Sequence, residues 1–206
     1  MRVGRPKDLA KRQLILAAAK TLFLSHGFHG SSMNQIAQHA GVTKLTIYNH
    51  FQDKNTLFAC AIAETCEAAI NTQPIQLQPD SNFIQVLHQV CELTLHMVNL
   101  PEAIKLEHLL FELTATHNPL AQTFFQASHQ RLFEFCSNFF QHAKQCHFID
   151  ADQVEQPTQL LLSLLFGQRH HDVLLGVRDV PTHDQMQQII VDAIEIFMLK
   201  YRPKPT

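Results

Sequence analysis

Apolar residues in this chain recur at three- and four-residue intervals, and no stretch keeps up the alternate-residue pattern of a half-buried strand. A period near 3.6 has one physical solution, helices that each bury a face against other helices. The fold class expected is therefore all-α. Pro74, Pro79, Pro101, Pro119, Pro157 and Pro181 mark the joints. Between them the spacing predicts helices over about residues 8–25, 32–40, 43–49, 54–71, 80–99, 102–117, 119–147, 152–176 and 182–201. In the first, Leu14, Ala18 and Leu22 make one apolar stripe, with Ile15, Ala19 and Phe23 beside it, before "HGFHG" ends it. A chain of 206 residues with 46% hydrophobic content can bury a substantial core.

Local chemistry sets several of these boundaries. Ser32 with Gln35 three residues on is a capping-box pattern that opens the second helix. Gly41 supplies the left-handed residue that stops it, Thr43 caps a short third helix, and Asp53 caps a fourth. "NTQPIQLQPDS", residues 71–81, reads as a loop. The last helix has one stripe of Met186, Ile190, Ala193, Ile194, Phe197 and Tyr201, and another of Ile189, Ile196 and Leu199. "QLLLSLLFGQ" is apolar nearly all round, with Ser163 and Gly167 small enough for close approach. Burial on two sides fits a bundle shared with a second copy, or a central helix of a monomer.

Net charge is only −2, but its distribution is lopsided. Residues 1–54 hold eight Lys and Arg against Asp8 and Asp53, which leaves eight basic and sixteen acidic residues for the remainder. A basic front quarter suits a polyanion, and an acidic remainder suits solvent, a partner or a small ligand. Five cysteines without a CxxC spacing read as reduced, packed thiols. The basic start runs into an amphipathic helix pattern rather than the apolar core of a signal peptide, and "LLLSLLF" is far too short to span a bilayer. A cytoplasmic protein without membrane attachment is expected.

Two helices joined by a glycine turn make a helix-turn-helix, whose second helix enters the major groove of DNA. In "SSMNQIAQHAGVTKLTIYNHF", residues 31–51, Ile36, Ala37, Ala40, Val42 and Ile47 provide the apolar interface. Thr43, Lys44, Thr46, Tyr48, Asn49 and His50 are left to project from the third helix. Hydroxyls, an ammonium, an amide and an imidazole suit phosphate oxygens and base edges, and no carboxylate is present to repel the backbone. Ahead of this segment Arg2, Arg5 and Lys7 form an arm of the kind that lays arginine in a narrow minor groove, or else a solvated terminus.

Residues 9–58 resemble the DNA-binding domain of the TetR/AcrR family of bacterial transcriptional regulators. Gly27 and Phe28 match the "GF" turn after the family's first helix. Ile36, Ala37, Ala40, Gly41, Val42, Thr46, Tyr48, His50, Phe51, Lys54 and Leu57 match its "IAxxAGVxxxTxYxHFxxKxxL" run. The resemblance implies that Thr43, Lys44, Thr46 and Asn49 approach the major groove. It implies that Tyr48, His50 and Lys54 hold phosphates, Lys54 with help from the positive end of the fourth helix. Ser32 and Arg5 complete this DNA-facing set. Where the family often has glycine the chain has Leu45, whose bulk either meets a thymine methyl or keeps the helix slightly off the groove.

What the resemblance further implies is a helical carboxy-terminal domain that binds a small molecule and dimerises through its last two helices. The chain then divides into a DNA-binding domain at 1–53 and an effector-binding and dimerisation domain at 54–206. The expected function is that of a homodimeric repressor on an inverted-repeat operator in double-stranded DNA, released when an effector favours wrongly spaced reading heads. The alternative is a DNA-binding protein of the same fold whose second domain binds a protein partner. His108, Phe111, Phe125, Phe133, Phe166 and His170 are candidates for the effector pocket, against an ordinary phenylalanine-rich core with surface histidines. His88 with Cys91 and Glu92 with His96 share helical spacings but make no metal-binding motif, so neither metal nor cofactor is expected. No phosphate loop or nucleophile elbow points to an enzyme.

Overall fold

The structure, a computed structural model, describes residues 6–71 and 75–203. Among these residues the protein is all-helical, with α1 (Pro6–Gly30), α2 (Met33–His39), α3 (Lys44–His50), α4 (Lys54–Ile70), α5 (Phe83–Val98), α6 (Pro101–Ala115), α7 (Leu120–Ala127), α8 (His129–Gln145), α9 (Glu155–Leu174) and α10 (His183–Tyr201). Two compact units result, one of residues up to 68 with 105–128, the other of 69–104 with 129 onward. No helix among the described residues is long and apolar enough to cross a membrane.

In the first unit α1 buries Ile15, Leu16, Ala18, Ala19 and Phe23. Leu14 does not share that stripe: it is 55% exposed, because one residue is 100° of helix and Leu14 falls on the solvent side of Ile15. α1 also runs past residue 25, to Gly30, with a bend at Gly27 (φ 70°, ψ 174°). The bend turns Phe28 inward, where its ring lies 5.9 Å from Phe23 and 5.2 Å from Phe58. Ser31 is buried there, its hydroxyl lying 3.0 Å from the Leu22 carbonyl and 2.8 Å from that of Gly27. The core continues through Ile36, Ile47, Phe51, Leu57, Phe58 and Ile62, then through Leu109, Leu110 and Leu113 of α6 and Leu120, Phe124 and Ala127 of α7.

The second unit packs α10 against α5 and α9, and α8 against α5 and α9. Asn82 caps α5 and Thr182 caps α10, the latter in a full capping box with Gln185. Phenylalanines run through this core in close succession: Phe83 lies 5.1 Å from Phe148, Phe140 lies 5.1 Å from Phe197, and Phe197 lies 5.0 Å from Tyr201. Cys91 and Cys136 are buried among them, and burial pushes the Cys136 thiol up to about 12, so it stays protonated. All five cysteines are free thiols.

Two expectations need correction here. The helix expected over 119–147 is two, α7 and α8, broken at Ser128 (φ −121°, ψ −77°). Apolar residues before the break belong to the first core and those after it, Cys136, Phe139, Phe140 and Ala143, to the second. Likewise α9 is interrupted at Gly167 (φ 44°, ψ −156°), a conformation that side chains other than glycine's rarely permit. Nothing lies within 4 Å of where a Gly167 Cβ would stand, so within the subunit this glycine makes a bend and not a close approach.

Candidate nucleic-acid interface

The candidate interface is built by short helices whose ends are closely specified. Ser32 caps α2, its hydroxyl accepting from the Gln35 amide at 3.2 Å while the Gln35 side chain accepts from the Ser32 amide at 2.8 Å. At the other end Val42 N–H donates to Ala37 at 3.0 Å and Gly41 N–H to Gln38 at 3.2 Å. These are the two bonds of a Schellman ending, and they need a left-handed residue, which Gly41 supplies with φ +64°. The turn is therefore tight and fixed, and it delivers the chain directly to Thr43.

Thr43 caps α3 by accepting from the Thr46 amide at 3.2 Å, and the two threonine hydroxyls lie 2.8 Å apart. α3 buries Ile47 and hands on to Phe51, 2% exposed, so the helix is seated on the core by one side chain at each turn. The opposite side is open. Lys44, Leu45, Tyr48 and Asn49 are exposed, while Thr46 and His50 are half-buried. Lys44 Nζ stands 5.9 Å from the Tyr48 ring centre. The structure thus brings together Thr43, Lys44, Leu45, Thr46, Tyr48, Asn49 and His50 on one short helix and its cap.

Lys54 opens α4 just beyond. Its ammonium sits 4.2 Å from the centre of the Phe28 ring, half-buried, and the loss of water pulls its pKa below the ordinary lysine value. Asp53 in front of it caps α4, accepting from the Thr56 amide at 2.7 Å, and that bond holds its carboxyl below the usual range. Arg12, which in the sequence is only one more positive charge, has a specific place: its guanidinium lies 5.4 Å over the Phe51 ring and 3.8 Å from the Glu64 carboxylate. An arginine facing the aromatic that follows α3 is a contact that only the fold reveals. Arg5 lies outside the described residues.

Of the candidate pocket residues, His108 and Phe111 lie exposed on α6 and Phe125 exposed on α7, in the first unit. Phe133 on α8 and Phe166 and His170 on α9 are half-buried in the second unit, where the Phe166 and His170 rings meet at 5.3 Å. A groove of about 360 Å³ in that unit is lined instead by Ile75, Leu77, Phe135, Phe139, His142 and neighbouring amides. Among the described residues no three His, Cys, Asp or Glu side chains gather to hold a metal ion.

A family model described as "Bacterial regulatory proteins, tetR family" matches residues 15–61, the span of α1 to the middle of α4. A second, "AefR-like transcriptional repressor, C-terminal domain", matches residues 85–203. The HTH-type transcriptional regulator UidR of Escherichia coli (strain K12) is 29% identical over 160 residues, 76% of this chain and 78% of that protein. SrpR, an HTH-type transcriptional regulator of Pseudomonas putida, is 25% identical over 198 residues, 94% of this chain and 86% of that one. Among solved structures the flavonoid-responsive regulator FrrA superposes with a TM-score of 0.78 at 25% identity, covering 95% of this chain and 98% of its own. With a helix-turn-helix model over its front and a regulator's carboxy-terminal model over more than half its length, the chain belongs to the TetR family of bacterial transcriptional regulators.

Proposed function

We propose that this DNA-binding regulator is a homodimeric repressor that occupies an inverted-repeat operator and leaves it when a small molecule binds its carboxy-terminal part. The observation that carries the reading is the open face of α3, which offers cationic, hydroxyl, aromatic and amide groups without a carboxylate, fixed to the core by Ile47 and Phe51. Lys54 supports it further. A cation at the first turn of a helix faces the positive end of the dipole, an unfavourable place that an incoming phosphate makes favourable. Tyr48 and His50 are proposed as further phosphate partners, and Ser32 and Arg5 complete the proposed DNA-facing set. Repression is supported by the description of the matched carboxy-terminal model.

Residues 1–53 serve as the reading head in this account and 54–206 as the effector-binding and dimerisation part. α10 supports the dimer: Ile190, Ala193, Ile194, Phe197 and Tyr201 fill the subunit's own core while Val191, Ile196 and Leu199 stay exposed on the other side. A small-molecule effector is supported by the name of FrrA, and of the candidate residues Phe133, Phe166 and His170, which lie in the second unit, are those proposed to meet it. The protein works on DNA in the cytoplasm and is not an enzyme. Selection of bound duplexes from a random pool, followed by titration of the enriched sequence at two salt concentrations, tests the reading. An inverted repeat bound with steep salt dependence is expected. Enrichment of no sequence by effector-free protein would refute it.

A further inference from the structure

The exposed face of α3 consists of two parallel ridges one residue apart. Lys44 and Tyr48 make one, four residues apart and joined by the ammonium lying 5.9 Å from the ring. Leu45 and Asn49 make the other, also four apart and both exposed. The hydroxyls beside them are already engaged, since Thr43 holds the Thr46 amide and the two hydroxyls share a hydrogen bond. Thr46 is in addition half-buried. Leu45 is 70% exposed, an unusual cost for a leucine on a seven-residue polar helix, and nothing in the first unit's core covers it. Among the described residues the Asn49 side chain makes no hydrogen bond.

We propose that Leu45 and Asn49 are the base-reading ridge of this protein, Leu45 packing on a thymine methyl and Asn49 pairing with an adenine edge, so that each half-site is centred on A·T pairs. This inference rests on the DNA reading proposed above. The chemistry follows from what each group can meet in the major groove. Thymine alone of the four bases presents a methyl group there, the one surface a leucine is attracted to, and adenine presents the acceptor and donor that an amide matches. One helical turn is about 5.4 Å and one base step about 3.4 Å, so the two side chains reach pairs one or two steps apart. Lys44 and Tyr48, on the neighbouring ridge, then face the phosphate strand. Thr43 and Thr46 hold the helix end and do not choose bases.

The test begins with the duplex that wild-type protein enriches from a random pool. Each thymine of a half-site is replaced in turn by deoxyuridine, which lacks only the 5-methyl group, and affinity is measured for wild type and for L45A. One thymine per half-site should weaken wild-type binding by about fourfold when its methyl is removed, as burial of one methyl implies, and leave L45A unaffected. At that place 5-methylcytosine, which restores the methyl, should bind wild type better than cytosine does and make no difference to L45A. N49A should lose discrimination of roughly tenfold at a neighbouring A·T pair. The inference is overturned if wild type and L45A respond alike at every thymine, or if the enriched half-site contains none. A chain that enriches no duplex at all overturns the DNA reading itself, a different outcome from binding that ignores the methyl. Because Leu45 is a surface side chain, L45A should melt at the wild-type temperature, and a clear fall in Tm would also overturn the inference.

Discussion

At Lys54 three physical effects meet in one side chain. Partial burial lowers the ammonium's pKa, the Phe28 ring faces it at 4.2 Å, and the helix it opens presents its positive end. An ammonium kept in such a place is poised for an anion. K54Q should therefore weaken binding to every duplex alike and reduce the slope of log affinity against log salt by about two for the dimer, one contact per subunit, because a phosphate contact acts by releasing counterions. Y48F should also weaken binding uniformly but leave the slope nearly unchanged, since a phenol carries no charge. A K54Q variant whose salt slope equals that of wild type would remove Lys54 from the phosphate contacts. Sequence pattern was sufficient to suggest Lys54 for this role but not to show the Phe28 ring under it, which depends on the bend at Gly27 bringing two distant residues into contact.

At the scale of the helix, the ends were more legible than the middles. Ser32, Gly41, Thr43 and Asp53 act through bonds to amides or carbonyls within five residues, so their roles can be read from local spacing, and each forms the cap or turn expected of it. The break at Ser128 could not be read this way, because no proline or glycine marks it and what ends α7 is the change from one core to another. Leu14 lies outside the buried stripe for a related reason: a spacing of three and four fixes the centre of the buried arc only to within one residue. The legible ends give two expected outcomes. Gly41→Ala should cost about 1 kcal/mol or more in urea unfolding, the strain of a left-handed residue with a Cβ, and should weaken operator binding by misaiming α3. D53A should cost about 1 kcal/mol at pH 7 by leaving the Thr56 amide without its acceptor. Since the folded state depresses the Asp53 pKa, its carboxylate contributes stability above the ordinary aspartate value near 3.9, and the contribution is lost as pH falls through the lower folded value. D53N keeps a capping oxygen, so it should stay near wild type at pH 7 and lose less stability between pH 5 and 3. Equal acid sensitivity in D53N and wild type would show that the Asp53 carboxylate is not the group responsible.

At the scale of the whole molecule, α10 separates what holds the subunit together from what is available to a second copy. The sequence shows two apolar stripes on this helix, and the structure buries one of them. Ile194 is 6% exposed in the second core, whereas Leu199, on the other stripe, is 87% exposed, with Ile196 and Val191 beside it on the open side. A charge at Ile194 would have to enter a core of phenylalanines, at a cost that unfolds the subunit before it can report on association. A charge at Leu199 would instead stand in water in a monomer and would be desolvated only if a partner covers it. L199E should therefore leave the melting of the isolated subunit unchanged while shifting sedimentation from dimer to monomer, and the same variant should lose most of its affinity for an inverted repeat while keeping weak binding to a single half-site. I194E should instead lose cooperative unfolding at any protein concentration. If L199E sediments as a dimer with undiminished operator affinity, the exposed stripe of α10 is not what joins two copies. If wild type itself sediments as a monomer at operator-binding concentrations, the proposed homodimer is wrong, and the two half-sites of an operator would have to be filled independently.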